Sequence, residues 1–255
     1  MAIPSTGTDW STGGYADLDN RLFWRGGLVM AGIRDYQGAA TDISPPGFSP
    51  FAADGKPRAD LFAIKKVSGN WIVQTGTNLG FWNIGAMSDR NGPERRPNTR
   101  NDDYMILQSL QPFDSDLISE SESIRFTGVE TLKPMWMRLR ANLPLVDSTG
   151  ASVVEPVGEP GFVLSKLTET DLIERQLLLI SKRAKAGKTI YKAEAFPLVK
   201  LTDIGNSKKE KQAADAAELG WTVLPDPYAV DANGNPAISH TWVGGDGWTA
   251  LLAGS

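Results

Sequence analysis

The 255-residue chain carries 26 Lys and Arg against 30 Asp and Glu, and this net charge of -4 denies it the basic footprint of a general nucleic-acid binder. Its 41% hydrophobic and 22% charged residues suit a folded globular chain, and with no apolar run near the roughly 18 residues of a membrane span and no basic-then-apolar leader, we expect neither a membrane-spanning nor an exported protein. The absence of cysteine excludes disulfides, thiolate metal centres and cysteine nucleophiles together.

Residues 1–20 are polar, rich in Gly, Ser and Thr, with Trp10 and Tyr15 as their aromatic anchors; they read as an N-terminal arm ahead of one β domain spanning 21–255. Residues 28–33 form a first strand. Residues 41–60 carry Pro45-Pro46-Gly47, Pro50, Asp54-Gly55 and Pro57, which predict a long loop rather than regular structure. Residues 61–66 and 71–75 pair around Ser68-Gly69-Asn70, and 79–84 adds an apolar segment. Residues 89–103 read as a second long loop, in which Arg90, Arg95, Arg96 and Arg100 interleave with Glu94, Asp102 and Asp103. That charge mixture fits a solvated loop or an inter-subunit contact.

The stretch 101–145 has the clearest internal logic. Residues 104–110 are a short apolar run broken by Pro112, and Ile124 and Phe126 then alternate with Ser123, Arg125 and Thr127 as in a half-buried strand. Thr131 reads as the N-cap of a short helix, with Pro134 in its first turn and Pro144 forbidding continuation. Leu132, Met135, Trp136, Leu139 and Leu143 fall on one helical face, expected to lie on the sheet, while Lys133, Arg138 and Arg140 point to water.

Residues 146–161 are turn-rich. Leu172, Gln176, Leu179, Ile180 and Arg183 fit helical spacing, yet Leu177 to Ile180 followed by Lys-Ala-Gly-Lys and the apolar run 189–201 equally fits a long hairpin. Residues 208–219 have helix propensity. Residues 220–224, 227–230 and 237–243 read as β structure around the 231–235 turn, and 244–247 as a terminal loop.

No constellation selects a chemistry. Gly187-Lys188-Thr189 lacks the first glycine of a phosphate loop, since Lys182 stands there. Asp231, Asn233 and Asn235 suggest a calcium loop, but Gly234 sits at the fourth position instead of the sixth and Trp242 stands where the closing glutamate belongs. The single histidine, His240, reads as a strand residue beside Trp242. The eight tryptophans are too dispersed for a sugar-stacking platform, and none of the many possible carboxylate pairs stands out. No residue is assigned to catalysis, to a cofactor or to a metal, and the chain is read as a non-enzyme.

The order of Trp82-Asn-Ile-Gly, an Asp-rich segment, LQSLQPFDSDL at 107–117, an alternating strand ending in Glu130-Thr131, a helix and ANLPL at 141–145 resembles the major tail tube proteins of long-tailed bacteriophages, particularly those of actinobacterial hosts. The resemblance covers roughly 81–245. It implies a mainly β fold, sandwich or barrel-like, with one flanking helix, and it favours the hairpin at 172–201 and an extended strand at 208–219. It further implies hexameric rings stacked into a tail tube that conducts DNA without binding it specifically. The partners would be further copies of the chain and the tape measure, tail terminator and distal tail proteins, in a virion tail assembled in the bacterial cytoplasm. On this reading Trp10, Arg90, Glu94, Arg95, Arg96 and Arg100 contact neighbouring subunits, and Asp114, Asp116, Glu120 and Glu122 face the lumen. The alternatives are a carbohydrate-binding β-sandwich module and a carboxylate-dependent hydrolase.

Overall fold

The computed structural model describes residues 27–67, 70–73, 78–89, 91–105, 114–147, 151–154, 163–168, 171–185, 187–206 and 215–252. Its strands are β1 (Leu28–Asp35), β2 (Ile64–Val67), β3 (Asn70–Val73), β4 (Trp82–Asn83), β5 (Glu94–Tyr104), β6 (Asp114–Gly128), β7 (Glu174–Lys185), β8 (Lys188–Ile204), β9 (Ala217–Val223) and β10 (His240–Gly244), with short helices α1 (Pro134–Arg140) and α2 (Asp246–Leu252). The mainly β class expected from the sequence is the one observed. Eight strands form one antiparallel sheet in the order β4-β1-β7-β8-β9-β6-β5, with β10 on β8, while β2 and β3 pair separately.

The ambiguous stretch at 172–201 is the β7–β8 hairpin, turned by Gly187 at φ +78°. Its leucine run mimics a helix because both faces of the strand are buried. Leu177 and Leu179 belong to one apolar cluster, Leu178 and Ile180 to another on the opposite side of the sheet. The second cluster is covered by the proline-rich segment after β1, through Ile43, Phe48 and Leu61. The predicted loop at 41–60 is therefore irregular, as expected, but part of it is core.

One segment draws the two ends of the sheet together. β4 pairs with β1, the Ile84 amide donates to Ala31 O at 2.8 Å, and the chain then crosses to β6, where Val129 N donates to Ala86 O at 3.1 Å and Ser88 N to Thr127 O at 2.8 Å. The result is a barrel-like wall around Ile33, Ile84, Phe126, Leu177, Phe196 and Trp221.

Helix α1 plugs this wall, with corrections to its expected form. Thr131 is not the N-cap: Lys133 occupies that position without a side-chain cap, and the Thr131 hydroxyl donates to Asp215 O at 3.3 Å. Pro134 fixes the first helical φ and disfavours helical geometry at the residue before it, so the helix starts later than the pattern suggests. Leu132 consequently precedes the helix and is 84% exposed, not core. Met135, Trp136 and Leu139 are buried as expected. Asn142, at φ +52°, ends the helix, and Leu143 follows it, buried but outside the helical face. The Trp136 indole donates to Ile84 O at 2.8 Å and sits where a Cβ on Gly128 would lie 2.0 Å from its ring, so glycine is required there.

Two further expectations are corrected. Residues 94–103 of the predicted second loop belong to strand β5, which ends at Tyr104; its side chains are exposed on both faces, which removes the alternation that marks a half-buried strand. The predicted terminal loop at 244–247 runs into α2, where the Asp246 carboxylate accepts from Thr189 N at 2.7 Å and Gly247 N at 3.0 Å. Of the expected strand at 208–219, β9 begins at Ala217; residues 207–214, like 106–113, lie outside the described residues.

Candidate self-association surface

Strands β5 and β6 start in the wall and leave it. β9 pairs with β6 only over Glu122–Gly128, so beyond the Pro97↔Glu122 pair the two strands have only each other among the described residues. Every residue of β5 is exposed, Pro97 being tolerated because this is an edge strand. A two-stranded ribbon in water is marginal by itself and offers open backbone edges.

The register decides which side chains share a face. Pro97, Thr99, Asn101 and Asp103 alternate along one side of β5, opposite Glu122, Glu120, Leu117 and Ser115. Arg96, Asn98, Arg100, Asp102 and Tyr104 line the other, opposite Ser123, Ser121, Ser119, Asp116 and Asp114. The register shift at Arg100/Asn101, with Ile118 as the extra residue, makes this so. The four carboxylates expected to line a common surface are thereby split, Asp114 and Asp116 on one face and Glu120 and Glu122 on the other.

Glu122 is withdrawn further, being 4% exposed and clasped by Arg95, whose Nη2 donates to Oε2 at 2.9 Å while Nε reaches Oε1. The hydrogen bond to Glu122 raises the Arg95 pKa, against the lowering effect of burial. The same guanidinium donates to Ser239 Oγ at 3.4 Å, lies 3.8 Å from Glu194 and packs over Phe196. Arg95 thus ties the root of the arm to β8 and to the residue ahead of β10. Arg96 is exposed and bonded to Glu94 at 2.6 Å, and Arg100 is exposed. Trp10 and Arg90 lie outside the described residues.

From Asn101 to Ser121 the sequence has no cation. Asp102 and Asp116 stand directly opposite each other, and Ser115 Oγ donates to Asp103 at 2.7 Å. Among these carboxylates three large apolar side chains are uncovered: Tyr104 at 66%, Met105 at 55% and Leu117 at 60% exposure. By contrast, the outer face at the arm's root is polar but neutralised, since Arg125 bonds Asp203 at 2.9 Å and Glu218 at 3.5 Å, and Thr202 and Thr222 share a hydrogen bond.

At the other end of β6 lies a cleft of about 650 Å³ lined by Met30, Ile64, Trp82, Pro134, Met135 and Val154. Its polar rim is the Glu130–Lys133 ion pair at 2.5 Å. Burial would raise the Glu130 pKa, but Lys133 and the Ala86 N–H, donating at 2.7 Å, outweigh it and leave the carboxylate more acidic than usual. The adjoining surface exposes Val129 and Leu132.

Sequence reasoning missed a buried polar knot beneath α1. Arg175, fully buried, bonds Asp35 at 3.2 Å, Asn142 Oδ1 at 3.3 Å and Leu143 O at 2.8 Å, while Asp35 Oδ2 accepts from Leu145 N at 2.5 Å and Val146 N at 3.2 Å. Burial lowers the Arg175 pKa against the pull of Asp35. The knot fixes the 141–145 turn; an arginine opening a leucine run was its one sequence trace. His240 lies on β10 opposite Ala195, 7% exposed, with its ring centroid 5.6 Å from that of Trp242.

Among the described residues there is no group of three or more His, Cys, Asp or Glu spaced to hold a metal ion, and no helix is long and apolar enough to cross a membrane. No protein-family model matches the sequence, and no curated protein matches it.

Proposed function

We propose that this chain is a structural subunit that assembles with copies of itself into stacked hexameric rings, forming the tail tube through which a long-tailed bacteriophage ejects its DNA. The observation that carries the reading is the β5–β6 arm. A ribbon with open edges and uncovered Tyr104, Met105 and Leu117 leaves hydrogen-bonding groups and apolar area unused, and a second copy supplies what both need. The phage reading rests on the resemblance across 81–245; the tape measure, terminator and distal tail partners and the virion location belong to the same proposal.

Of the two faces of the ribbon, the polar outer one, which carries Asp114 and Asp116 but not Glu120 and Glu122, suits the DNA-facing wall. Ser119, Ser121 and Ser123 are small, Arg96 and Arg125 are held by carboxylates, and the exposed Arg100 is outnumbered by Asp102, Asp114 and Asp116 on the same face, so passing phosphates meet little net positive charge.

The test is size and shape. Purified protein should form rings or tubes in negative stain and oligomers by light scattering, and replacing 99–120 with a two-residue Asn-Gly turn should leave a folded monomer. A chain that stays monomeric at every concentration overturns the proposal.

A further inference from the structure

We infer that the arm of one copy docks in the α1 cleft of the next, making a head-to-tail joint between successive subunits; this rests on the self-assembly reading and names its contact. The arm contains one end of β6, and the cleft lies just past the other. Leu117 and Glu130 are thirteen positions apart, which along extended backbone is about 40 Å, so the arm is carried away from the cleft of its own chain. A second copy, translated by roughly that length, brings arm to cleft.

The two surfaces match in chemistry. The arm brings exposed Tyr104, Met105 and Leu117, and the cleft offers an apolar trough between Trp82 and Met135, extended by the exposed Leu132. Charge matches too. From Asn101 to Ser121 the arm carries Asp102, Asp103, Asp114 and Asp116 and no cation, whereas around α1 Lys133 and Arg140 pair with Glu130 and Asp215 and Arg138 adds a surplus positive charge. Such opposition steers approach and sets orientation more than it adds affinity. Because the surfaces differ, the contact is heterologous: it does not close on itself as a two-fold dimer does, and it propagates from copy to copy into a ring or a stack.

The absence of cysteine makes the joint directly readable. Leu117→Cys and Leu132→Cys both change exposed side chains, so each variant should fold as the parent does. Oxidation, or a short bis-maleimide, should convert a mixture of the two into a covalent dimer, and the double variant into a ladder of higher multimers, with neither single variant alone cross-linking comparably. Rings or tubes in negative stain without the mixed 117–132 product overturn the joint while leaving self-assembly standing, as does a Leu117→Cys product formed as readily alone. A strict monomer overturns both.

Discussion

The two halves of β6 are one continuous strand with opposite relations to solvent. From Glu122 to Gly128 it has β9 on one side and β5, then Met87, Ser88 and Asn91, on the other, and it sends Ile124 and Phe126 into the core at 0% and 1% exposure. From Asp114 to Ser121 it has one neighbour among the described residues, and its described side chains are exposed on both faces. The barrel half is ordered by burial within the chain. The arm half has cross-strand hydrogen bonds and little else, so its worth must come from another molecule. Stability and assembly should therefore respond to different residues of the same strand pair.

The largest separation is between Trp136 and Leu117. Trp136→Ala removes a fully buried indole packed against Phe126 and hydrogen-bonded to Ile84, a loss of about 3–5 kcal/mol that consumes much of a domain's margin. The variant should be insoluble or melt far below the parent. Leu117→Ser should shift the melting transition of the isolated subunit little, by under about 0.5 kcal/mol, while weakening assembly. A soluble Trp136→Ala subunit that merely fails to assemble would erase the distinction.

Arg95 marks the border between the halves. Its removal leaves the Glu122 carboxylate buried without its partner, which costs about 1–3 kcal/mol in folded-state stability, less than for a fully buried pair because Arg95 itself is 41% exposed. Chemical denaturation of Arg95→Ala against Arg96→Ala, whose salt bridge is exposed and worth about 0–1 kcal/mol, reads the difference. Equal effects would place Arg95 with the arm instead of the wall.

His240 gives a smaller, pH-dependent effect. Burial holds its imidazole below the usual value, opposed by Asp42 and Asp231, so the fold favours the neutral ring. Its contribution is complete above the ordinary histidine pKa of about 6.5 and is lost as pH falls through that value toward the depressed one. Between pH of about 8 and about 5.5, the parent should lose more melting temperature than His240→Gln; identical losses would remove His240 from the acid response.

Legibility in the sequence followed the same border. Ile124, Phe126, Met135, Trp136 and Leu139 were readable because burial on one face imprints a period on the chain. The 94–104 strand was not, since a ribbon exposed on both faces leaves no period, and Asn91-Gly92-Pro93 ahead of it and Pro97 within it suggest a loop. Leu132 was misread because helical periodicity extends on paper past the point where Pro134 starts the helix. The split of Asp114 and Asp116 from Glu120 and Glu122 depends on one extra residue in β6, which spacing cannot disclose, and the Arg175–Asp35 knot joins positions 140 apart.

The smallest effect is also the sharpest test of the two halves, because it should act on them in opposite directions. Asp102 and Asp116 face each other across the arm, and like charges so placed destabilise a ribbon by about 0.2–1 kcal/mol. Asp116→Asn removes the repulsion and should slow hydrogen exchange of the arm amides while leaving those of β7 and β8 unchanged. Added salt should produce part of the same protection in the parent and little in the variant, since screening then has less repulsion to relieve. If the arm meets the cationic α1 region of a neighbour, the same change should weaken assembly or slow its onset, despite a better-ordered arm. A variant that orders the arm and also assembles faster would show that the carboxylates only burden the arm, and that apolar contact alone makes the joint.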